Sequence, residues 1–411
     1  MNDTPRPLTW LTLEEEAWRE QVARFAEKSV VPRAARMDRD GRFAPELYEE
    51  LFAAGLMGIQ VPEAYGGQGG SLFHVVLAIE ELAKADPAVA VLVDVQNALV
   101  AQALLTHGTG DQKRTHLPAL AGGTVGAFAL SEEHSGSDAL ALSTVARPDG
   151  DGFVLDGRKR WITNAAEAGI LLLLARVPEQ GVTAFLVDGG SEGLTIGERT
   201  PKMGIRATST CEVVLDGVRV PGHRVLGRVG QGDVVAVRTL DAGKLGIAAQ
   251  LVGLADGALR AAVSYAQRRE QFGRPIAAYQ GVRFPLARAS AELEAARVQL
   301  YNATRLAQHG AEASELMRAA SVAKYLASEV AERTASLAVE VLGGNGFAEH
   351  GAVEKLYRDA KVGKIYEGTS NMQFRTISAF LLRGAAEHGG ETQAGPGADA
   401  PGGAGRAGGA A

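Results

Sequence analysis

The sequence predicts an α+β protein with a helical N-terminal domain, a middle β domain of barrel or sandwich type, and a C-terminal helical bundle. Three observations predict it. Apolar residues recur at helical spacing as far as about Ala121 and again from about Val234 to Leu382, the period that gives a helix one buried stripe. Between about Gly122 and Gly232 the pattern changes to short apolar or β-branched runs bounded by Gly and Pro, which is strand grammar. With 411 residues, 46% hydrophobic and 22% charged, the chain can build two or three packed units. The expected boundaries are 1–121, 122–233 and 234–383, followed by a tail over 384–411.

The first helix starts at Thr12-Leu13-Glu14-Glu15, a capping box, and Trp18, Val22 and Phe25 follow at helical spacing. Breaks fall at Pro62 to Gly67 and at Gly108 to Gly110. Asp151-Gly152 and Asp156-Gly157 read as hairpin-turn dipeptides flanking the strand Phe153-Val154-Leu155. Ile170 to Ala175, ILLLLA, reads as a buried strand, and Val182–Val187, Leu194–Ile196 and Val213–Leu215 as further strands. Arg288 to Leu306, rich in Ala, Leu, Glu and Arg without Pro or Gly, predicts a long bundle helix. From Gly384 the chain is Gly, Ala and Pro with few bulky apolar residues. Such a stretch buries too little surface to order itself and is expected to be disordered.

Bulk properties remove several function classes. A net charge of -6 and a pI near 5.8 argue against a nucleic-acid partner, which calls for a basic face. The single cysteine, Cys211, excludes a disulfide framework within one chain and a multi-cysteine metal site. His134 has no second histidine placed to complete a metal site. The N-terminal residues lack the pattern of a secretory or organellar signal, and no apolar run is expected to approach the roughly 20 residues that span a bilayer. A cytoplasmic protein free of membranes is the expectation.

The chemistry concentrates in Arg358 to Phe374, RDAKVGKIYEGTSNMQF. Gly368 permits a backbone conformation closed to other residues, and Thr369 or Ser370 can cap a following helix. Glu367 is therefore expected on a tight turn at a helix start, held and aimed as a general base must be. The alternative is an exposed Glu in a loop.

Eight stretches in order resemble the acyl-CoA dehydrogenase family: VPEAYGGQGG from Val61, ALSEEHSGSD from Ala129, RWITNA from Arg160, KMGIRATST from Lys202, LDAGKLGIAAQ from Leu240, RREQFGRP from Arg268, LGGNGF from Leu342 and RDAKVGKIYEGTSN from Arg358. The resemblance runs from about residue 12 to residue 383. DVQNALV at Asp94, GIAAQLVGLA at Gly246 and VEKLYRDAKVGKIYEG at Val353 bring it closest to the short-chain and short/branched-chain members.

The resemblance implies an FAD enzyme that removes an α-proton and a β-hydride from a short acyl-CoA, giving the trans-2-enoyl-CoA. Glu367 takes the place of the base. Phe128, Leu130, Ser131, Ser137, Trp161, Ile162 and Thr163 match flavin contacts of the middle domain. Arg269, Gln271, Phe272, Gln280, Glu340, Gly343, Gly344, Thr369 and Asn371 match FAD contacts of the C-terminal domain. Ser137, Asp241, Lys244 and Gly368 match substrate contacts, Asp241 to Lys244 as a turn facing the CoA moiety. Because Arg269 and the Glu340 to Gly344 loop reach a neighbouring subunit's FAD in the family, a homotetramer built as a dimer of dimers is implied, with electron-transfer flavoprotein as redox partner.

Outside that resemblance, Ser131 and Ser137 read as turn chemistry, Trp161 as a core aromatic and Arg268-Arg269-Glu270 as a solvated helix end. Three departures from the family pattern stand out: Lys244 replaces an Arg and so loses its forked donors, Asp233 replaces an aromatic residue, and Glu133-His134 replaces Pro-Gly. An acyl-CoA oxidase and a non-catalytic flavin- or acyl-CoA-binding relative are the rival readings.

Overall fold

A computed structural model describes residues 7–349 and 352–389. Seven helices come first: α1 (Leu13–Phe25), α2 (Val31–Asp40), α3 (Pro45–Ala53), α4 (Leu72–Ala85), α5 (Pro87–Asp94), α6 (Gln102–His107) and α7 (Gly110–Gly122). The capping box at Thr12 is formed: its hydroxyl accepts from Glu15 N at 3.2 Å, and its N–H donates to Glu15 Oε2 at 2.9 Å. A second box at Thr109 and Gln112 starts α7 after the Gly108 break. Between α5 and α6 the helical path widens into a π-type segment, Val95–Ala101, a feature frequent at functional sites.

Eight strands follow: β1 (Val125–Ala129), β2 (Val145–Asp149), β3 (Gly152–Thr163), β4 (Ala168–Val177), β5 (Gly181–Asp188), β6 (Leu194–Ile196), β7 (Thr210–Pro221) and β8 (Val225–Leu226). They form one sheet in the order β6-β7-β3-β2-β4-β5-β8, with β1 parallel to β4. The sheet curls, so that Leu155 and Val213 of one arm share a core with Leu171, Leu173 and Phe185 of the other. The opposite face of β4 and β5, Ile170, Leu172, Leu174 and Leu186, packs on Val100, Leu104, Leu117 and Leu120 of the helices. Both faces of β4 are covered, which is why ILLLLA is apolar at every position.

The chain ends in α8 (Gly232–Arg268), a short hairpin of β9 (Glu270–Gln271) and β10 (Arg274–Pro275), then α9 (Gln280–Gln308), α10 (Ala313–Leu342), α11 (Gly344–Phe347), α12 (Ala352–Lys361) and α13 (Ser370–Gly389). α8 packs against α4, α5, α9 and α10, so one helix ties the two helical regions into a common core.

Four expectations are corrected. Asp156-Gly157 is not a hairpin turn but lies inside β3 at a register shift, because a Cβ on Gly157 would sit 2.6 Å from Thr144 Oγ1. The neighbouring hairpin turns one residue earlier than Asp151-Gly152, on Gly150 (φ 61°) and Asp151, between β2 and β3. Two helical segments, Pro87–His107 and Gly232–Arg268, are long and apolar enough to cross a membrane by length and composition, but 89% and 78% of their apolar windows are buried in the fold. They are core helices. α13 continues past Gly384 to Gly389; the rest of the expected tail lies outside the described residues.

Candidate active site

Glu367 lies between a single 3₁₀ turn at Val362–Lys364 and the start of α13. Its φ is +51° and that of Gly368 is +89°, two successive left-handed residues. For a non-glycine residue that conformation costs about 1 kcal/mol or more and persists where the surroundings over-determine it. Here they do. Gln373 Nε2 donates to Glu367 O at 3.1 Å and to Gly368 O at 2.9 Å. Lys324 Nζ, from α10, donates to Gly368 O at 2.7 Å. Thr369 Oγ1 caps α13 by accepting from Met372 N at 3.4 Å. The turn is thus fixed from its own helix and from a neighbouring one.

The turn aims the carboxylate at α8. The residue keeps partial solvent access, yet Oε2 is buried and has no partner among the described residues; Ser370 Oγ and Gln373 Oε1 beside it are equally orphaned there. A Cβ on Gly243 of α8 would lie 2.8 Å from Glu367 Oε2 and 2.6 Å from Leu99 Cδ2 of the π-type segment. Gly243 is therefore the seat on which the base rests. Burial raises the Glu367 pKa to about 7, against the pull of Lys244 and Lys324.

A second carboxyl stands one helical turn away. A Cβ on Gly246 would meet Asp94 Oδ1 at 1.7 Å, and both Asp94 oxygens are buried without a partner among the described residues. Burial first, then the charge of Glu367, holds Asp94 well above the usual carboxylate range. It is thereby pushed toward its protonated form beside the ionisable Glu367. Tyr366 closes this side by donating to Gln250 Oε1 at 2.6 Å. Such a site can take a proton from a weak carbon acid near pH 7.

The β domain supplies the second wall. Trp161 sits at the register shift between Lys159 and Ile162 in β3 with φ +63°, and the residue is 55% exposed. It is not a core aromatic. Ile162 and Leu130 turn their side chains into the cores and have backbone groups alone to offer; Phe128 and Thr163 are half-buried and Ser137 is exposed. Ser131 is held beside Trp161, its carbonyl accepting from Arg160 N at 2.8 Å.

Comparison with known proteins decides the family. The N-terminal, middle and C-terminal domain models of acyl-CoA dehydrogenase match residues 12–124, 127–218 and 230–382. A probable short/branched chain specific acyl-CoA dehydrogenase of Dictyostelium discoideum is 45% identical over 383 residues, 92% of each chain. The chain belongs to the acyl-CoA dehydrogenase family. Butyryl-CoA dehydrogenase from Megasphaera elsdenii superposes with a TM-score of 0.88 at 37% identity, over 91% of this chain and 99% of that one. A glutaryl-CoA dehydrogenase from Mycobacterium smegmatis in complex with FADH2 does so at 0.86 and 28%, over 91% and 95%.

Within this acyl-CoA dehydrogenase the remaining candidate residues divide. Asp241 and Lys244 do not form a turn: they lie inside α8 and pair with each other at 2.8 Å, because the helix runs unbroken through them. Asp233 is exposed in the first turn of the same helix. Arg269, Gln271, Phe272 and Gln280 are exposed, as are Glu340, Gly343, Gly344 and Asn371. Asn345 Nδ2 donates to Tyr265 OH at 2.9 Å, which brings the Gly343-Gly344 loop beside the end of α8 that precedes Arg269. A cavity of about 690 Å³ lined by Thr109, Gln112, His116, His223 and Arg224 lies apart and holds none of these groups.

Sequence reading missed the groups that hold the site. Lys159, fully buried, donates to Leu130 O at 3.0 Å and to Glu132 Oε1 at 2.7 Å, and Glu132 Oε2 accepts from Ser143 N at 2.7 Å. This pair pins the loop carrying Ser131. Burial would raise Glu132, but Lys159 pulls it down to about 2; burial brings Lys159 itself down to about 8. A charged pair inside ALSEEHSGSD and RKRWITNA was visible in the text, but only the fold brings the two together.

Proposed function

We propose that this enzyme is an FAD-dependent dehydrogenase of short or short/branched-chain acyl-CoA thioesters, forming the trans-2-enoyl-CoA. One observation carries the reading: the Glu367 carboxylate is buried, unpartnered at Oε2, fixed by a left-handed turn and poised near neutrality. FAD, when bound, accepts the β-hydrogen as a hydride. Glu367 takes the α-proton, and its backbone N–H, which finds no backbone acceptor among the described residues, is free to bond the thioester oxygen as charge develops there.

The residues fit a flavin. An exposed Trp161 held outward by a bulge suits one face of the ring, with Ser131 and Thr163 beside it. Arg269 brings forked donors suited to a diphosphate. Phe272 and Phe347, 95% and 85% exposed, sit by the Arg269 hairpin and the Gly343-Gly344 loop, as an oligomer that shares these contacts would require. The proposal includes a cytoplasmic homotetramer that passes its electrons to electron-transfer flavoprotein. The names of the Dictyostelium and Megasphaera relatives support the short or branched acyl chain.

Anaerobic mixing of the flavin-loaded protein with butyryl-, isobutyryl- and 2-methylbutyryl-CoA tests the reading. Flavin bleaching by at least one thioester, and its loss in Glu367→Gln with FAD retained, is expected. Full turnover by Glu367→Gln would end it. Oxygen uptake matching enoyl formation without an added acceptor would mark an oxidase instead.

A further inference from the structure

Lys324 presents a problem that holding a turn does not solve. It is fully buried on α10, where an ammonium is costly, and it makes no direct salt bridge among the described residues. Its one hydrogen bond among the described residues, to Gly368 O, goes to a carbonyl that Gln373 already serves. A neutral donor would hold the turn as well. The charge therefore needs its own explanation, and the ionisable group on that turn is Glu367.

We propose that Lys324 is the positioning residue of the base: through the Gly368 carbonyl it locks the turn, and through its charge it keeps the adjacent buried Glu367 ionised. This rests on the reading of Glu367 as the base. The groups facing Glu367 are Lys324 from α10, Lys244 from α8, Asp94 from α5 and its neighbour Tyr366. Asp94 and Tyr366 are both pushed toward their neutral forms, by burial first, and Lys244, whose pull on Glu367 comes ahead of that of Lys324, is shared with Asp241 at 2.8 Å. Lys324 is the cation whose hydrogen bond among the described residues goes to the turn of the base. Burial drives Lys324 down to about 8 while Glu367 resists, so each of the two is kept charged by the other.

Three variants separate the two roles. Lys324→Gln keeps a donor and removes the charge, Lys324→Met removes both, and Lys324→Arg keeps the charge. The readout is kcat/KM against pH for a bleaching acyl-CoA, on protein shown to be folded and flavin-loaded. Lys324→Gln is expected to move the acid limb up by about one pH unit, a loss of about fivefold at neutral pH that grows to about tenfold in acid and shrinks in alkali. Lys324→Met is expected to show the same displacement with a lower plateau, and Lys324→Arg to leave the limb where wild type has it. A limb unmoved in Lys324→Gln would overturn the proposal, whether or not Lys324→Met folds. Failure of the base reading looks different: Glu367→Gln would then turn over, whatever the lysine variants do.

Discussion

At the scale of single residues the site is governed by which carboxyl is charged. Glu367 must be ionised to accept a proton, and burial sets its pKa at about 7. Activity should therefore be lost as pH falls through that value. We expect kcat/KM to drop about tenfold per pH unit below neutrality and to level above it; a profile flat down to the ordinary carboxylate range would refute this. Burial pushes Asp94 toward its protonated form, so Asp94→Asn, which replaces an uncharged donor by another, should leave the acid limb in place. A limb displaced downward in that variant would mean that Asp94 carries charge in the native enzyme. Glu367 was legible because its turn is written contiguously, as Glu-Gly-Thr-Ser. Lys324, Gln373 and Asp94 were not, because each is a lone polar residue in a helical pattern and Lys324 meets its carbonyl from 44 positions away.

At the scale of elements, α8 organises the molecule through its glycines. Gly243 and Gly246 seat the two carboxyls, and Gly253 admits the backbone of α4, since a Cβ there would lie 2.1 Å from Glu80 O. Alanine improves helix propensity by about 1 kcal/mol, but a backbone carbonyl cannot move aside as a side chain can. Gly253→Ala is accordingly expected to destabilise by about 1–3 kcal/mol, the usual penalty of overpacking, measured by chemical denaturation. Gly122→Ala, with nothing near its Cβ position, is the control and should stay within about 0.5 kcal/mol. Equal stabilities would show that helix contacts at Gly253 relax freely. Periodicity gave this helix and the strand ILLLLA correctly, because both report burial. The dipeptide Asp156-Gly157 misled because a glycine admitting Thr144 and a glycine making a turn are spelt alike.

At the scale of the whole chain, helix, sheet, helix was readable from the periodicity of apolar residues and the Gly and Pro that bound the strands, whereas what joins the three was not. The joint is a buried cluster of charge. Lys355 Nζ on α12 lies 2.9 Å from Asp86 Oδ1, at the start of α5, and 2.5 Å from Asp359 Oδ2. Asp359 Oδ1 in turn accepts from Ile205 N, in the segment between β6 and β7, at 2.5 Å. N-terminal helices, β domain and C-terminal helices thus meet on one ion pair, Lys355 with Asp359. Burial pushes Asp359 up and would push Lys355 down, but the two carboxylates outweigh it and hold the lysine charged. Removing the cation leaves two fully buried acids uncompensated, which costs about 3–5 kcal/mol. Lys355→Met should therefore lower the unfolding midpoint far more than Arg36→Ala, whose pair with Asp40 is 71% and 46% exposed and contributes about 0–1 kcal/mol. The decisive comparison is thermal unfolding of the two variants beside wild type, with flavin retention followed in parallel. If Lys355→Met unfolds with Arg36→Ala, the cluster is not what holds the three parts in register, and the apolar contacts of α8 alone must do so.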